Sequence, residues 1–99
     1  MTYDKNRVLP LGSIVALRRS AKKVMIVARA VSIRQKGKEI YFEYAACGYP
    51  EGITNDQLFF LDVKDIAEVI FTGYEDRDEE IVVKDIEAWR REKKQNQVV

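Results

Sequence analysis

Two long segments of alternating apolar residues, 22–35 and 38–47, restrict the fold of this chain more than any other feature. Side chains of a strand alternate between its two faces, so each segment offers one apolar face if it is extended. That face would carry Val24, Ile26, Ala28 and Ala30 in the first segment, and Ile40, Phe42, Tyr44 and Ala46 in the second. Gly37 separates the segments and tolerates the positive φ of a tight turn. We predict a long β-hairpin whose register is set by Ile26 and Phe42 in the core.

Shorter elements flank this hairpin. A first strand is predicted at residues 13–18, and a loop containing Gly48, Pro50 and Gly52 ends the hairpin. A strand at residues 57–61, one helical turn at 62–66 capped by Asp62, and a last strand at 67–74 follow. This order predicts an α+β domain built on a small five-stranded antiparallel SH3-like β-barrel. An open five-stranded sheet is the alternative.

The C-terminal part of the chain changes to a helical period. Val82, Ile86 and Trp89 recur on one helical face, with Val83 beside them. Acidic residues precede this pattern and basic residues follow it, which complements the helix dipole. We predict a helix at residues 76–94 and a disordered tail at 95–99. The helix would cover one wall or one open end of a barrel at residues 9–74, within a single domain of residues 1–99.

Length and composition restrict the class of protein. A chain of 99 residues has room for one modest core. No apolar run approaches the roughly 18–20 residues of a membrane-spanning helix, so membrane insertion is not expected. The first eleven residues lack the apolar region of a signal peptide. A single cysteine, Cys47, cannot form an internal disulfide bond, which is typical of a cytoplasmic protein.

Charge is unevenly distributed along the chain. Residues 1–50 contain ten Lys and Arg against three acids, a net charge of +7, whereas residues 51–99 contain seven against thirteen, a net charge of −6. A basic half suggests nucleic acid or an acidic partner. Because the total is +1, we expect instead that the two halves neutralise one another in the fold.

Residues suited to catalysis or metal binding are scarce. The chain has no histidine, which is the commonest general base and metal ligand, and one cysteine cannot build a thiolate zinc site. The acidic cluster at residues 76–80 is explained by the start of a helix. We predict no enzyme activity, no metal and no cofactor.

Two stretches are candidates for binding. Arg18, Arg19, Lys22 and Lys23 near Tyr41 and Tyr44 could form a surface for single-stranded nucleic acid, or only a solvated hairpin end. In the second stretch Tyr49 precedes Pro50, which restricts the backbone that presents its ring. Adjacent Phe59 and Phe60 cannot both face one core. We therefore predict a protein-binding patch of Tyr49, Pro50 and one of these phenylalanines with Glu51 at its rim, and the helix bearing Trp89 as the alternative interface.

Several short motifs occur in a familiar order: Gly12-Ser13-Ile14-Val15, Met25-Ile26 with Arg29, Tyr49-Pro50-Glu51-Gly52, Phe59-Phe60, and Ile66, Val69, Phe71 and Gly73-Tyr74 before the acidic residues 76–80. Over roughly residues 8–80 the chain resembles a family of small uncharacterised proteins of Gram-positive bacteria. Members are often encoded beside Leu-x-Gly toxins of the type VII secretion system. The resemblance implies a non-enzymatic accessory, adaptor or chaperone-like role, with a toxin or secretion component as partner. A small-barrel nucleic-acid-binding protein is the alternative, and the oligomeric state stays open.

Overall fold

A five-stranded antiparallel sheet and one C-terminal helix form the fold in the computed structural model, which describes residues 4–97. The strands are β1 (Ile14–Leu17), β2 (Lys23–Gln35), β3 (Lys38–Gly48), β4 (Phe59–Leu61) and β5 (Ile66–Phe71), and the helix is α1 (Arg77–Gln97). A 3-10 turn, Val63–Asp65, separates β4 from β5. The predicted α+β class and the antiparallel five-stranded sheet are therefore confirmed, with small differences at the ends of the elements.

The sheet is open. Its strand order is β4-β3-β2-β1-β5, which leaves β4 and β5 at opposite edges. Within residues 4–97 these two strands do not pair with each other, so hydrogen bonding does not close a barrel. The edge strand β4 is only three residues long, and the chain turns away from it at Asp62. The other end of that turn is tied to β1, because the Arg18 backbone N–H donates to the Asp65 carbonyl at 2.9 Å.

The core lies where β1, β2, β3 and β5 meet the segment before β1. Its buried members are Leu9, Val15, Val24, Ile26, Tyr44, Ala46, Leu61, Ile66 and Val69. Tyr44 is the largest fully buried side chain among them. Phe42, which the alternation placed in the core, is only half-buried. The predicted core position of Ile26 is correct, whereas the centre of the β3 contribution is Tyr44.

A β-bulge in β2 explains why the predicted alternation fails along half of the hairpin. Ile26 pairs with Ala46, but Ala28 pairs with the next residue of β3, Ala45, so Val27 is an extra residue. An extra residue exchanges the two faces of the strand beyond it. Arg29, Val31 and Ile33 consequently pair with Tyr44, Phe42 and Ile40. The prediction that Ala28 and Ala30 share a face with Ile26 was wrong.

Helix α1 begins after Asp76, whose carboxylate accepts the Glu79 backbone N–H at 3.0 Å. Ile86 is buried, and Val83 and Trp89 are half-buried, as the helical pattern predicted. Val82 was placed on the same face but is 43% exposed, because the buried face is centred on Val83 and Ile86. The helix also continues past residue 94 to Gln97, so residues 95–97 of the predicted tail are helical. Residues 98 and 99 lie outside the described residues.

The two oppositely charged halves of the chain are joined by ion pairs. Four pairs connect a residue before position 50 with one after it: Arg7–Glu75, Lys22–Glu51, Arg29–Glu79 and Glu43–Arg90. Two of these residues, Glu79 and Arg90, belong to α1, so the helix contributes to the pairing between the halves. Three of the four pairs match a cation of the basic half with an acid of the acidic half, so the expected neutralisation is present in part.

Candidate protein-binding groove

An open groove of about 820 Å³ lies between the β1–β2 turn, the outer part of the hairpin, β4 and the 3-10 turn. Its apolar lining comes from Leu17, Ile33, Phe42 and the run from Leu58 to Leu61. Phe59 and Phe60 are 42% and 39% exposed. The centroids of the Phe42 and Phe60 rings are 5.5 Å apart, with the planes tilted by 32°. We call this surface, together with its polar lining, the groove.

The length of the hairpin creates the groove. Strand β1 pairs with β2 only at residues 23–25, and β4 pairs with β3 only at residues 44–46. Among residues 4–97, no strand pairs with the hairpin beyond these positions, and Ile33 and Phe42 belong to that projecting part. On β4, Phe59 and Phe60 pair with Ala46 and Ala45, whose side chains are too small to cover an aromatic ring.

Basic residues border the groove at the β1–β2 turn and the 3-10 turn. Arg18, Arg19 and Lys64 all line it and are exposed. The Arg18 Nε donates to the Lys64 carbonyl at 2.7 Å, which holds the two turns together. The acid among the lining residues is Asp65, and its carboxylate already accepts the Asp62 backbone N–H at 2.9 Å. The border of the groove therefore carries an excess of positive charge.

The predicted patch residues Tyr49 and Glu51 lie in a different place, beside the start of β2. The Tyr49 backbone N–H donates to the Lys23 carbonyl at 3.0 Å, and the Lys23 ammonium lies 5.5 Å from the centre of the Tyr49 ring. Glu51 pairs with Lys22, and the hydrogen bond from that lysine lowers the pKa of the Glu51 carboxyl. The peptide bond before Pro50 is cis. Among the described contacts, no stacking or hydrogen bond joins Tyr49 to Phe59 or Phe60.

Trp89, the alternative interface, borders a smaller cleft of about 430 Å³ between α1 and the sheet. Its ring meets Tyr41 edge-on, with centroids 6.2 Å apart, and the Lys93 ammonium lies 4.6 Å from the centre of the Tyr41 ring. Asp62 also lines this cleft, and burial raises the pKa of its carboxyl although it accepts the Glu43 backbone N–H at 2.9 Å. The polar groups of the cleft are thus engaged in holding the helix and the 3-10 turn on the sheet.

The buried hydroxyl of Tyr44 is the centre of that polar network. It accepts the Leu9 backbone N–H and an Arg90 guanidinium N–H, each at 3.0 Å, and donates to the Arg7 carbonyl at 3.3 Å. Arg90 also pairs with Glu43 at 2.8 Å. Burial raises the pKa of the Tyr44 phenol, so it stays protonated at neutral pH. These contacts indicate that Tyr44 and Arg90 stabilise the fold, because the buried Tyr44 hydroxyl is not accessible to a substrate.

The model of a family described as a domain of unknown function (DUF4176) matches residues 8–82. The chain belongs to the DUF4176 family. No curated protein and no solved structure matches it.

The matched part of this DUF4176 protein includes all five strands and the start of α1. Every residue that lines the groove lies between Leu17 and Asp65, inside the match. Trp89, Arg90 and Lys93, which border the smaller cleft, lie beyond it. The groove is therefore built from the domain that defines the family, whereas the cleft also depends on the C-terminal helix.

The residues considered from the sequence of the DUF4176 protein as a possible nucleic-acid surface do not lie together. Tyr44 is buried, Tyr41 lies against Trp89, and Lys22 and Lys23 contact Glu51 and Tyr49. Arg18 and Arg19 instead border the groove. Sequence reasoning named these two arginines and the phenylalanines separately, but missed Ile33, Phe42 and Lys64 as their neighbours, because nothing in the sequence links these distant positions.

Two further structural findings concern this DUF4176 protein. Among residues 4–97, no three acidic or cysteine side chains are grouped so as to hold a metal ion. The described helix is too polar to cross a membrane.

Proposed function

We propose that this DUF4176 protein is a non-enzymatic cytoplasmic accessory protein that acts as an adaptor or chaperone for a Leu-x-Gly toxin of the type VII secretion system. The observation that carries the proposal is the groove, which Phe59 and Phe60 both line while 42% and 39% of their surface stays exposed. Gram-positive origin and the toxin as partner rest on the resemblance of the sequence motifs. The groove supports the more general part of the proposal, which is protein binding.

Exposed aromatic side chains in an apolar concavity are costly unless a partner covers them. Contiguous apolar patches on monomeric proteins are small and frequently functional. Phenylalanine rings that enter a partner's surface are typical anchors, because they bury a large area with little loss of side-chain entropy. The groove offers Phe59 and Phe60 next to the half-buried Phe42, with Leu17 and Ile33 nearby. This arrangement supports a protein interface.

The titratable groups of the chain support a role without catalysis. The pKa values of Tyr44 and Asp62 are raised by burial, which is also common at active sites. Both groups, however, are engaged in hydrogen bonds with the backbone of neighbouring elements. Neither lines the groove. The absence of histidine from the sequence removes the commonest general base.

An SH3-like barrel remains our proposal for the finer classification of the fold. The strand order and the 3-10 turn before β5 support it, because the chain leaves one edge of the sheet and returns at the other. The curvature that brings Leu61 of β4 and Val69 of β5 into one core supports it too.

The proposal is tested by co-expressing the tagged chain with the Leu-x-Gly toxin encoded beside its gene and measuring the affinity of the purified pair. Phe60→Ala should weaken binding by about 2 kcal/mol, because an interface anchor is lost. Its melting temperature should fall only modestly, since Phe60 lies outside the buried core and 39% of its surface is exposed. Tyr74→Ala is the matched control, because Tyr74 is exposed and lies outside the groove.

Two other results would contradict the proposal. Absence of any interaction between the wild-type chain and the toxin would exclude the adaptor role. Weakened binding by Tyr49→Ala together with normal binding by Phe60→Ala would place the interface at the Tyr49 loop and not in the groove.

A nucleic-acid-binding function is the second candidate, because Arg18, Arg19 and Lys64 border a groove that contains aromatic rings. If the adaptor role is correct, a single-stranded oligonucleotide should not bind more tightly than about 100 μM at physiological salt, the weak end of non-specific binding. Low-micromolar binding that falls steeply with salt and is lost on charge reversal of Arg18 and Arg19 would favour this second candidate.

A further inference from the structure

We infer that the groove binds an amphipathic protein segment whose apolar face covers the phenylalanines and whose flanking carboxylates pair with Arg18, Arg19 and Lys64. The inference rests on the proposed function, because it specifies the chemistry of the partner that the same groove would hold.

The lining of the groove requires apolar side chains from its occupant. Leu17, Ile33 and Leu58 are aliphatic and accompany the aromatic Phe42, Phe59 and Phe60. Aliphatic groups gain free energy only from contact with other apolar surface. A purely polar or purely charged segment would offer no apolar surface to this lining, whereas leucine or phenylalanine side chains of a partner would cover it.

The cations at the border of the groove differ from the cations that join the two halves of the chain. Arg7, Lys22, Arg29 and Arg90 are each neutralised by an acid of the other half of the chain. Among the described side chains, Arg18, Arg19 and Lys64 form no such ion pair. The hairpin tip, which continues from the groove residue Gln35, adds the exposed cations Arg34, Lys36 and Lys38 against one acid, Glu39, which lies opposite Arg34 in the hairpin register. Positive charge therefore accumulates at both ends of the same apolar surface.

Arg18 is held in place by the backbone of the 3-10 turn. Its backbone N–H donates to the Asp65 carbonyl at 2.9 Å, and its Nε donates to the Lys64 carbonyl at 2.7 Å. No hydrogen bond within residues 4–97 uses its two terminal nitrogens. Because a guanidinium binds a carboxylate well through terminal N–H groups, these nitrogens provide a positioned site for an acidic side chain. Little conformational entropy would be lost on pairing.

Charge and apolarity together favour an acidic amphipathic segment over nucleic acid. Phosphates would pair with the border, but the aliphatic part of the lining would gain nothing from a phosphodiester backbone. An acidic segment with an apolar face satisfies both parts of the surface. Electrostatic complementarity of this kind mainly determines the association rate and the choice of partner.

A titration of the ¹⁵N-labelled full chain, followed by amide chemical shifts, tests the inference. The probe is a synthetic helical peptide with leucine and phenylalanine on one face and glutamate on both flanks. A matched peptide carries lysine at each glutamate position, and a thymidine oligonucleotide represents nucleic acid. We expect the glutamate peptide to bind about tenfold more tightly than the lysine peptide, from several exposed ion pairs acting together. The shifts should be confined to β4, the β1–β2 turn and the outer hairpin.

Charge reversal provides a test that misfolding cannot imitate. The double variant Arg19→Glu/Lys64→Glu should lose the preference for the glutamate peptide and gain affinity for the lysine peptide. A gain of affinity requires a folded groove. The double variant Lys84→Glu/Arg91→Glu changes the net charge equally at exposed positions of α1 and should keep the original preference. Equal affinity for both peptides, shifts outside the groove, or tighter binding of the oligonucleotide would overturn the inference.

The toxin experiment separates this inference from the proposed function. If the toxin is captured equally well by wild type and by Arg19→Glu/Lys64→Glu, the inference that an acidic segment binds the groove is wrong and the adaptor role stands. If the toxin is not captured but the glutamate peptide binds the groove, the adaptor role is wrong and the inference about the groove stands.

Discussion

At the scale of single residues, Tyr44 joins more parts of the molecule than any other side chain described above. Its hydroxyl connects β3 with the N-terminal segment through Leu9 and Arg7, and with α1 through Arg90. A buried hydroxyl that satisfies other buried groups is costly to remove, because those groups are left without partners. The aromatic ring fills the core at the same time.

Tyr44→Phe should therefore lower the free energy of unfolding by about 1–3 kcal/mol, the cost of leaving buried polar groups unpaired. Urea denaturation followed by the fluorescence of Trp89 measures this. Tyr41→Phe is the matched control, since among the described residues the Tyr41 hydroxyl donates one hydrogen bond, to the exposed Glu39 carboxylate at 3.0 Å. A loss of equal size in both variants would show that the buried network is not what stabilises the fold.

At the scale of secondary structure, the helical pattern correctly predicted α1 but placed one apolar residue, Val82, on the wrong face. Apolar residues at positions 81, 82, 83 and 86 allow more than one helical stripe. In the fold, Glu79 and Arg90 also lie on the inward face, because Arg29 and Glu43 of the sheet pair with them. The inward face of α1 therefore contains Glu79, Val83, Ile86 and Arg90, and Val82 lies outside it.

Ile86→Ala should lower the free energy of unfolding by about 2–4 kcal/mol, because a buried side chain is replaced by a cavity. Val82→Ala should change it by less than about 0.5 kcal/mol, as is usual for surface substitutions. The two variants can be compared directly by thermal and urea denaturation, because both substitutions shorten an aliphatic side chain on the same helix. Similar losses at both positions would mean that Val82 contributes to a buried surface.

At the scale of the whole molecule, the ion pair between Arg29 and Glu79 attaches α1 to the sheet. The two side chains are only 7% and 13% exposed, and Arg29 also donates to the Leu9 carbonyl at 3.3 Å. Removal of one member leaves the other charge buried without a partner, which costs far more than an exposed pair contributes. This contact links the basic half of the chain to the acidic half.

Glu79→Ala should lower the free energy of unfolding by about 3 kcal/mol or more, since Arg29 stays buried and unpaired. Glu75→Ala should cost less than about 1 kcal/mol, because the Arg7–Glu75 pair is exposed. The double variant Arg29→Met/Glu79→Leu should recover most of the loss by replacing the pair with apolar contact. If the double variant is no more stable than Glu79→Ala, buried charge is not the cause.

The kinds of elements, their order and the α+β class could be predicted from the sequence, because periods of 2 and 3.6 are local properties that neighbouring residues reveal. The sequence also shows the opposite net charges of the two halves, and three ion pairs in the fold join a cation of the first half to an acid of the second. The bulge at Val27 was not detectable, because both Val27 and Ala28 are apolar and either continues an alternating pattern.

Which side chains share a surface depends on the packing of distant segments and could not be predicted. Whether the sheet closes depends on how far β4 and β5 extend, and whether Phe42 is buried depends on what packs over the outer hairpin. The groove likewise joins Leu17, Ile33, Phe60 and Lys64, which are far apart in the chain. Such proximity is set by strand register and by the length of the projecting hairpin, and local sequence patterns contain neither.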